Sequence, residues 1–377
     1  MKATWRSVKS SPQQRVDRVN HFQTRRLIVT SILCPALVAG LGACATNETS
    51  PNGPVIEIEA AGASSQSGAM EAWIASFQLA HPNVTINYTP SGSGAGRNAF
   101  INGGVDFAGS DVALNPTELS GSFAACQPGT KAIDLPVYIS PIAVIFNING
   151  VDELNLDART IARIFTGEIT RWDDPAIRTQ NPHAKLPSAT ITAVHRSDDS
   201  GTTKNFTDYL HQNAPDVWEE SASDKFPYLV GEAAQGTSGV VDAVANGTNT
   251  IGYADASRAA GLANVRIKVG EQFVSYTPQR AAEAVAGSPL ASNRGEGDIV
   301  IELDRKTTNP NHYPIVLVSY LIGCVNYDDK NVGQTVREFL NFVASSEGQK
   351  IAARSAGAAP VPEQLANQIL TSISRIG

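Results

Sequence analysis

An arginine, two aspartates and several small polar residues lie together in "RSDDSGTT", which occupies positions 196–203. The arginine can donate two parallel N–H groups to an oxyanion, and Asp198 can hold its guanidinium in place. The small residues precede an apolar-periodic segment, and a helix N-terminus offers free N–H groups and partial positive charge. An ordinary helix N-cap is the alternative for the serine. The residues expected to bind an anion here are Arg196, Ser200, Gly201 and Thr202.

Two other serine-rich loops, "GASS" at 62–65 and "SGSG" at 91–94, each follow a strand-like segment and precede a helix-like one. Ser64, Ser65 and Ser93 can present hydroxyls beside backbone N–H groups, so we expect them to join the anion site. Ordinary turn chemistry is the alternative for each loop taken alone.

Asp111 ends the strand-like segment "VDFAGSD" at 105–111. A carboxylate beside an anion site repels the anion unless the anion carries a proton that the carboxylate can accept. Phosphate retains such a proton near neutral pH and sulfate does not. An N-cap for a helix in "LNPTEL" is the alternative for this aspartate.

Strand-like and helix-like segments alternate from residue 54 onward, which predicts an α/β fold with a mostly parallel sheet. The polar loops follow strand C-termini, where open α/β sheets bind ligands. Two long apolar segments, 132–148 and 313–327, are predicted to be strands that cross between two lobes of a clamshell. "RNAFINGG" predicts a short helix after the second serine loop, 335–356 one amphipathic helix, and 270–312 a loop-rich extension.

The N-terminal segment carries a predicted export signal. Basic residues precede an apolar run at 27–44, and "LGAC" resembles a bacterial lipobox in which Cys44 is lipidated. We therefore expect a lipoprotein signal peptide at 1–43 and a lipidated polar tether at 44–54. A twin-arginine signal at Arg25-Arg26, or an ordinary signal peptide, remains an alternative.

Residues 1–43 contain seven of the 29 Lys and Arg and one of the 36 Asp and Glu, so the rest carries a formal charge of −13. Such a charge argues against nucleic acid as a partner. Cys126 and Cys324 are the two cysteines left after the signal and lipidation cysteines, and an exported chain favours a disulfide between them over two free thiols. The sequence has neither a P-loop, a nucleophile elbow nor a paired metal-ligand spacing, which predicts a protein without metal, cofactor or catalysis.

These motifs together resemble the PstS-type phosphate-binding proteins, the extracytoplasmic receptors of phosphate ABC transporters. The resemblance spans roughly residues 55–377 and is carried by "GASS", "SGSGAG", "VDFAGSD" and "RSDDSGTTKNFTDYL", with "FTGEITRWDDPAI" also similar. It implies a type II periplasmic-binding-protein fold, with lobe I at 55–137 and 314–377 and lobe II at 138–313. One dehydrated phosphate is expected between the lobes, bound by the residues singled out above, with Asp198 bracing Arg196.

The sequence departs from the family at two places. Ser64-Ser65 stands where the family often has threonine and an apolar residue, and Asp199 stands where glycine is common. The resulting expectation is a monomer on the outer face of a bacterial cytoplasmic membrane, which delivers inorganic phosphate to membrane permease subunits. The alternatives are a receptor for sulfate or molybdate, a phosphatase on the same fold, and a surface sensor or adhesin.

Overall fold

The computed structural model describes residues 55–377. The predicted signal peptide, the lipidated Cys44 and the tether at 44–54 lie outside these residues. None of the helices between residues 55 and 377 has the length and apolar character needed to cross a membrane. The strands are β1 (Ile56–Gly62), β2 (Val84–Thr89), β3 (Phe107–Ser110), β4 (Ala132–Asn147), β5 (Leu154–Leu156), β6 (Thr192–Arg196), β7 (Glu232–Ala234), β8 (Thr250–Asp255), β9 (Ala263–Val269), β10 (Gln272–Val274) and β11 (Val316–Cys324).

Helices follow most strands, as the alternating sequence pattern predicts. A short 3-10 helix at Ser64–Gln66 leads directly into the first α-helix. The α-helices are α1 (Ser67–Ala80), α2 (Ser93–Ile101), α3 (Pro116–Ser120), α4 (Ala158–Phe165), α5 (Pro175–Gln180), α6 (Gly201–Asn213), α7 (Gly236–Asn246), α8 (Pro278–Ala286), α9 (Lys330–Ala344), α10 (Ser346–Ala356) and α11 (Glu363–Ile373).

The sheet order β2-β1-β3-β11-β4-β8-β6-β7 contains two parallel groups joined through antiparallel strands. The first strand set, as we call it, is β2, β1 and β3 with β11 and the Ala132–Pro141 part of β4. The second strand set is β8, β6 and β7 with the Ile142–Asn147 part of β4. The sheet is therefore less parallel than predicted, because every pairing made by β4 is antiparallel.

β4 is the element that connects the two strand sets. Fifteen of its 16 residues are buried, and it changes partner from β11 to β8 between Pro141 and Ile142. A strand covered on both faces needs an almost continuous apolar sequence, which accounts for "AIDLPVYISPIAVIF". The α/β architecture predicted from the sequence is thus confirmed.

The disulfide between Cys126 and Cys324, predicted from the sequence, is present. Its Cα atoms are 5.3 Å apart, and it ties the loop before β4 to the C-terminal end of β11. A cross-link that closes a loop this long restricts the unfolded chain and so stabilises the fold, typically by about 2–4 kcal/mol.

One local prediction was wrong. Segment 335–356 is not one helix, because α9 ends at Ala344 and α10 begins at Ser346. Ser345 has extended backbone and caps the Gly348 N–H, and Gly348 packs so closely that a Cβ would lie 2.1 Å from the Phe342 carbonyl oxygen. Segment 270–312 is rich in loops, as predicted, and contains only β10 and α8 as regular elements.

Candidate functional site

The predicted site residues lie where strands of both sets end and helices begin. Ser64 and Ser65 follow β1, Ser93 opens α2, and Asp111 directly follows β3. From the second strand set, Arg196 ends β6, and the N-terminus of α6 follows it. The helix predicted to start at "RNAFINGG" starts earlier, at Ser93, which moves this serine from the loop into the first helical turn.

A glycine makes the close approach of β1 and β3 possible at this edge. Gly62 ends β1 with φ +148°, and a Cβ there would lie 1.9 Å from the Gly109 carbonyl oxygen. The Ala63 N–H donates to that carbonyl oxygen at 2.9 Å, which holds the serine turn against the end of β3. The glycine in "GASS" therefore positions the serines instead of contacting a ligand.

Asp111 is buried and accepts three hydroxyl hydrogen bonds. Its Oδ1 accepts from Ser65 Oγ and Ser319 Oγ, both at 2.6 Å, and its Oδ2 accepts from Thr202 Oγ1 at 2.8 Å. Its backbone N–H donates to Ser93 Oγ at 3.1 Å. This aspartate is the point where the first strand set meets α6.

Burial raises the pKa of Asp111, while the hydroxyl hydrogen bonds and the charge of Arg196 act in the opposite direction. The alternative interpretation of this aspartate as a helix N-cap was wrong. The N-cap of α3 is Asn115, whose side chain accepts from the Glu118 N–H in a capping box. The buried carboxylate thus has no helix-capping role.

Arg196 is buried and forms a two-point ion pair with Asp198. Its Nε donates to Asp198 Oδ1 at 2.7 Å and its Nη2 to Asp198 Oδ2 at 2.5 Å. Partial burial acts to raise the pKa of Asp198, but the hydrogen bonds and charge of Arg196 lower it below its usual value. The Gly236 N–H also donates to Asp198 Oδ1, at 2.9 Å. The structure thus places Asp198 where it can fix the guanidinium.

The N-terminus of α6 faces the first strand set across a tight contact. Ser200 is its N-cap, and the Ser200 Oγ accepts from the Thr203 N–H at 3.2 Å. A Cβ on Gly201 would lie 2.7 Å from both the Asp111 Cβ and the Ser93 Oγ. The first N–H groups of any helix have no acceptor within it, so this end supplies donors beside a carboxylate.

All eight predicted binding residues are therefore near one another, although they do not play equal parts. Six of them pair directly across the site, Arg196 with Ser64, Thr202 with Asp111 and Gly201 with Ser93, whereas Ser65 contacts Asp111 on its own side. Ser200 instead uses its oxygen as the N-cap, so both interpretations of this serine, site member and cap, remain compatible with its position.

Two residues that contact the site were missed. Thr237, at the start of α7, donates from its backbone N–H to Ser64 Oγ at 3.0 Å, and the two hydroxyls share a second hydrogen bond at 3.0 Å. The same Ser64 Oγ accepts from Arg196 Nη2 at 3.1 Å. Its sequence "QGTSG" repeats the strand–glycine–hydroxyl–helix pattern that identified the other loops. Ser319 was also missed, and its signal was a single hydroxyl inside the apolar strand "VLVSYLIGC".

Asp199 and His195 do not enter the site with their side chains. The Asp199 carboxylate is 43% exposed and lies 3.9 Å from Lys225 Nζ, while its carbonyl oxygen accepts from the Gly94 N–H at 3.0 Å. The His195 ring stacks on Phe226 with centroids 4.1 Å apart, which is a structural contact. Asp199 thus hydrogen-bonds to Gly94 of α2 through its backbone and packs its Cβ against the same glycine, while its carboxylate lies toward Lys225.

A buried ion pair joins the two strand sets beside the site. Arg97 of α2 donates from Nη2 to Asp224 at 2.6 Å, and from Nε to Glu118 at 3.0 Å. Asp224 lies between α6 and β7, and its carbonyl oxygen accepts from the Ser200 N–H at 2.9 Å. The Arg97–Asp224 pair therefore links the middle of α2 to the N-terminus of α6.

Comparison with known proteins gives one consistent result. The sequence model of the PBP superfamily domain matches residues 46–347. Phosphate-binding protein PstS 3 of Mycobacterium tuberculosis is 37% identical over 326 residues, covering 85% of this chain and 86% of that protein. Phosphate-binding protein PstS of Methanocaldococcus jannaschii is 31% identical over 372 residues, covering 93% of each chain.

Solved structures show the same fold. A high-affinity periplasmic phosphate-binding protein, PfluDING, solved with bound phosphate, superposes with a TM-score of 0.66 and 23% sequence identity. The superposition covers 85% of this chain and 93% of that chain. At this identity the likeness establishes the periplasmic-binding-protein-like fold.

Proposed function

Because this chain belongs to the PstS family of phosphate-binding proteins, within the PBP superfamily, we propose that it binds inorganic phosphate and delivers it to an ABC transporter. The family relatives are substrate-binding proteins at 31–37% identity over most of their length. The receiving partners would be the membrane permease subunits of a phosphate importer.

The observation that carries the proposal is the pairing of a buried carboxylate with a buried guanidinium and a helix N-terminus. Arg196 and α6 supply donors for an oxyanion, whereas Asp111 supplies only acceptors when ionised. An anion that has both oxygen acceptors and an O–H donor can accept from Arg196 and α6 and donate to Asp111. Monohydrogen and dihydrogen phosphate have this composition, and sulfate lacks the donor.

In this proposal, each strand set contributes one group of ligand-binding residues, which we call one half of the site. In the structure, direct hydrogen bonds join the two halves, from Arg196 to Ser64 and from Thr202 to Asp111. Phosphate binding would exchange these bonds for bonds to the anion. The proposed ligands from the first set are Ser64, Ser65, Ser93 and Asp111, and those from the second are Arg196, Ser200, Gly201 and Thr202.

We further propose lobe I at 55–137 and 314–377 and lobe II at 138–313, as the resemblance implies. The change of β4 partner between Pro141 and Ile142 supports a boundary near residue 137. One segment argues for a refinement. Arg294 forms ion pairs with Asp134 and Asp298, and the Asp134 N–H donates to Asp298 Oδ1 at 3.0 Å. We therefore assign residues 294–299 to lobe I.

The location follows from the N-terminal sequence and the family. We propose export with a cleaved signal, lipidation of Cys44, and attachment as a monomer to the outer face of a bacterial cytoplasmic membrane. The −13 charge of the remaining chain fits a receptor that attracts its anion by local geometry.

A phosphatase activity is the second candidate, and one contact favours it. The Ser65 Oγ donates to the Asp111 carboxylate at 2.6 Å. A carboxylate that accepts a serine proton can act as a general base. We propose instead that Asp111 accepts the ligand's proton and that no bond is broken, in line with the substrate-binding relatives.

The test is calorimetric titration of the purified protein with phosphate, arsenate and sulfate at pH 7.5. Phosphate and arsenate should bind and sulfate should not, because only the first two retain a proton for Asp111. Sulfate binding as tight as phosphate binding would contradict the role of Asp111. Turnover of a chromogenic phosphate ester above the rate without protein would instead favour the phosphatase.

A further inference from the structure

Ser319 is a hydroxyl in the middle of the buried strand β11. All nine residues of this strand are buried, and Ser319 itself has no exposed surface. A hydroxyl that loses water without gaining a hydrogen bond destabilises a protein, so its bonding partners account for its presence. Both partners lie toward the candidate site.

The sheet register places this side chain beside Asp111. β11 pairs with β3 in antiparallel fashion, and Tyr320 lies opposite Ser110. Ser319 therefore lies next to Asp111, the residue that directly follows β3. The irregularity in the pairing of β11 with β4 leaves this register intact, because the extra residue, Val137, lies in β4.

The hydrogen bonds of Ser319 have a fixed direction. Gln66 Nε2 donates to Ser319 Oγ at 2.5 Å and to the Tyr320 carbonyl oxygen at 3.2 Å. A carbonyl oxygen can only accept, so the group facing both atoms must be the amide nitrogen. Ser319 therefore accepts from Gln66, and its own hydrogen goes to Asp111 Oδ1 at 2.6 Å.

We propose that Ser319 is a positioning residue that sets the ligand specificity of Asp111. Its hydroxyl, oriented by Gln66, occupies Oδ1 together with Ser65 and keeps the carboxylate ionised and fixed. Oδ2 then becomes the acceptor for the proton of the ligand. This inference rests on the proposed function, because it assigns a residue outside the family's binding motifs to the discrimination made at the same site.

Loss of the Ser319 hydroxyl would change the protonation of Asp111. Burial already raises the pKa of Asp111, and the hydrogen bond from Ser319 is one of the contacts that oppose the rise. Without it, the carboxyl would hold its proton to higher pH and could donate to sulfate. The other titratable groups facing Asp111 or lining the 420 Å³ cavity beside it are Tyr88, Arg196, Lys204, Asp208, Asp255, Arg294, Glu302, Arg305 and Tyr320.

The experiment measures the ratio of sulfate to phosphate dissociation constants from pH 5.5 to 8.5, in wild type and variants. We expect the ratio to fall about tenfold or more in Ser319→Ala, with the pH at which sulfate begins to bind moving upward. Ser319→Thr retains the hydroxyl and should keep the wild-type ratio. Thr250→Ala is the matched control, since it removes another buried strand hydroxyl, one that donates to the Val244 carbonyl oxygen and not to Asp111.

A wild-type ratio and pH profile in Ser319→Ala would contradict the inference, as would a ratio in Ser319→Thr as low as in the alanine variant. If Ser319→Ala does not fold, Gln66→Met decides, because it removes the donor that orients Ser319. A fall of about threefold or more in its ratio supports the inference, and an unchanged ratio overturns it. Wild-type protein that binds no phosphate would contradict the proposed function, an outcome distinct from these.

Discussion

The two halves of the site use opposite chemistry to reach the same ligand position. The half on the first strand set offers hydroxyls and one buried carboxylate, Asp111, whereas the half on the second strand set offers a guanidinium and a helix N-terminus. The carboxylate is held by hydroxyl donors alone, but the guanidinium of Arg196 is held by the carboxylate of Asp198. Each half therefore contains a carboxylate, but Asp111 faces the ligand position whereas Asp198 holds the arginine.

This difference separates affinity from selectivity. The second half has the stronger donors, because a guanidinium makes charge-assisted hydrogen bonds that are about twice as strong as neutral ones. The first half has a group that opposes any anion lacking a proton. We therefore expect changes in the second half to weaken all oxyanions together, and changes at Asp111 to alter which oxyanion is preferred.

The largest effect is expected for Arg196→Ala. Removal of one partner from a buried ion pair leaves the Asp198 carboxylate uncompensated beside the anion, at a cost of about 3–5 kcal/mol. Phosphate affinity should fall by roughly 10²–10³-fold or more in calorimetric titration. Arg354→Ala is the control, because that arginine is 64% exposed, and its affinity should match wild type. A loss below about tenfold would mean that the helix N-terminus dominates binding.

The next largest effect is expected for Asp111→Asn, and it should be a change of preference. The amide can donate to an oxyanion, so sulfate binding should strengthen while phosphate binding weakens, which moves their ratio by about 10–100-fold. In wild type, rejection of sulfate should be complete at high pH and be lost as pH falls through the raised pKa of Asp111. The amide variant should not show this pH dependence. Equal weakening of both anions would contradict the division between the halves.

The residue types in each half of the site could be predicted from the sequence, but the hydrogen bonds between the two halves could not. Glycine–hydroxyl–helix patterns identified Ser64, Ser93 and Arg196 because helix starts are local features. The bond from Arg196 to Ser64, however, joins positions 132 residues apart and depends on how the strand sets pack. Local patterns contain little information about such packing. Thr237, by contrast, was missed although "QGTSG" carries the same local pattern as the other loops.

The fold shows the same limit. Alternating segments predicted the α/β class, but the antiparallel pairing of β4 with β11 and β8 was not predicted, because apolar runs specify burial and not direction. The break between α9 and α10 arises from contact of Gly348 with the preceding turn. A helical periodicity that continues through position 345 contains no sign of this contact.

A moderate effect is expected for Asp224→Asn, which weakens the ion pair that joins the halves. Arg97 and Asp224 have side-chain exposures of 8% and 16%, so their pairing contributes more than a surface pair does. If the pair forms only when the halves are together, its loss should weaken phosphate and arsenate equally, by about 3–10-fold. Asp216→Asn is the control, because its pair with Arg159 is more than half exposed, and it should change affinity less than twofold. A change in phosphate–sulfate preference would instead link this pair to selectivity.

The smallest effect is expected for Asp199→Asn, although Asp199 adds a negative charge near an anion site. Its carboxylate is 43% exposed and lies near Lys225 Nζ, so solvent and salt should screen it. The Asp199 atoms that reach the first half are its carbonyl oxygen, which accepts from the Gly94 N–H, and its Cβ, and this substitution retains both. Phosphate affinity should therefore change less than about twofold at 0.15 M salt, by the small worth of an exposed charge. A tenfold gain in affinity that disappears at high salt would show that the Asp199 charge does oppose the anion, and that the second half contains a source of repulsion besides Asp111.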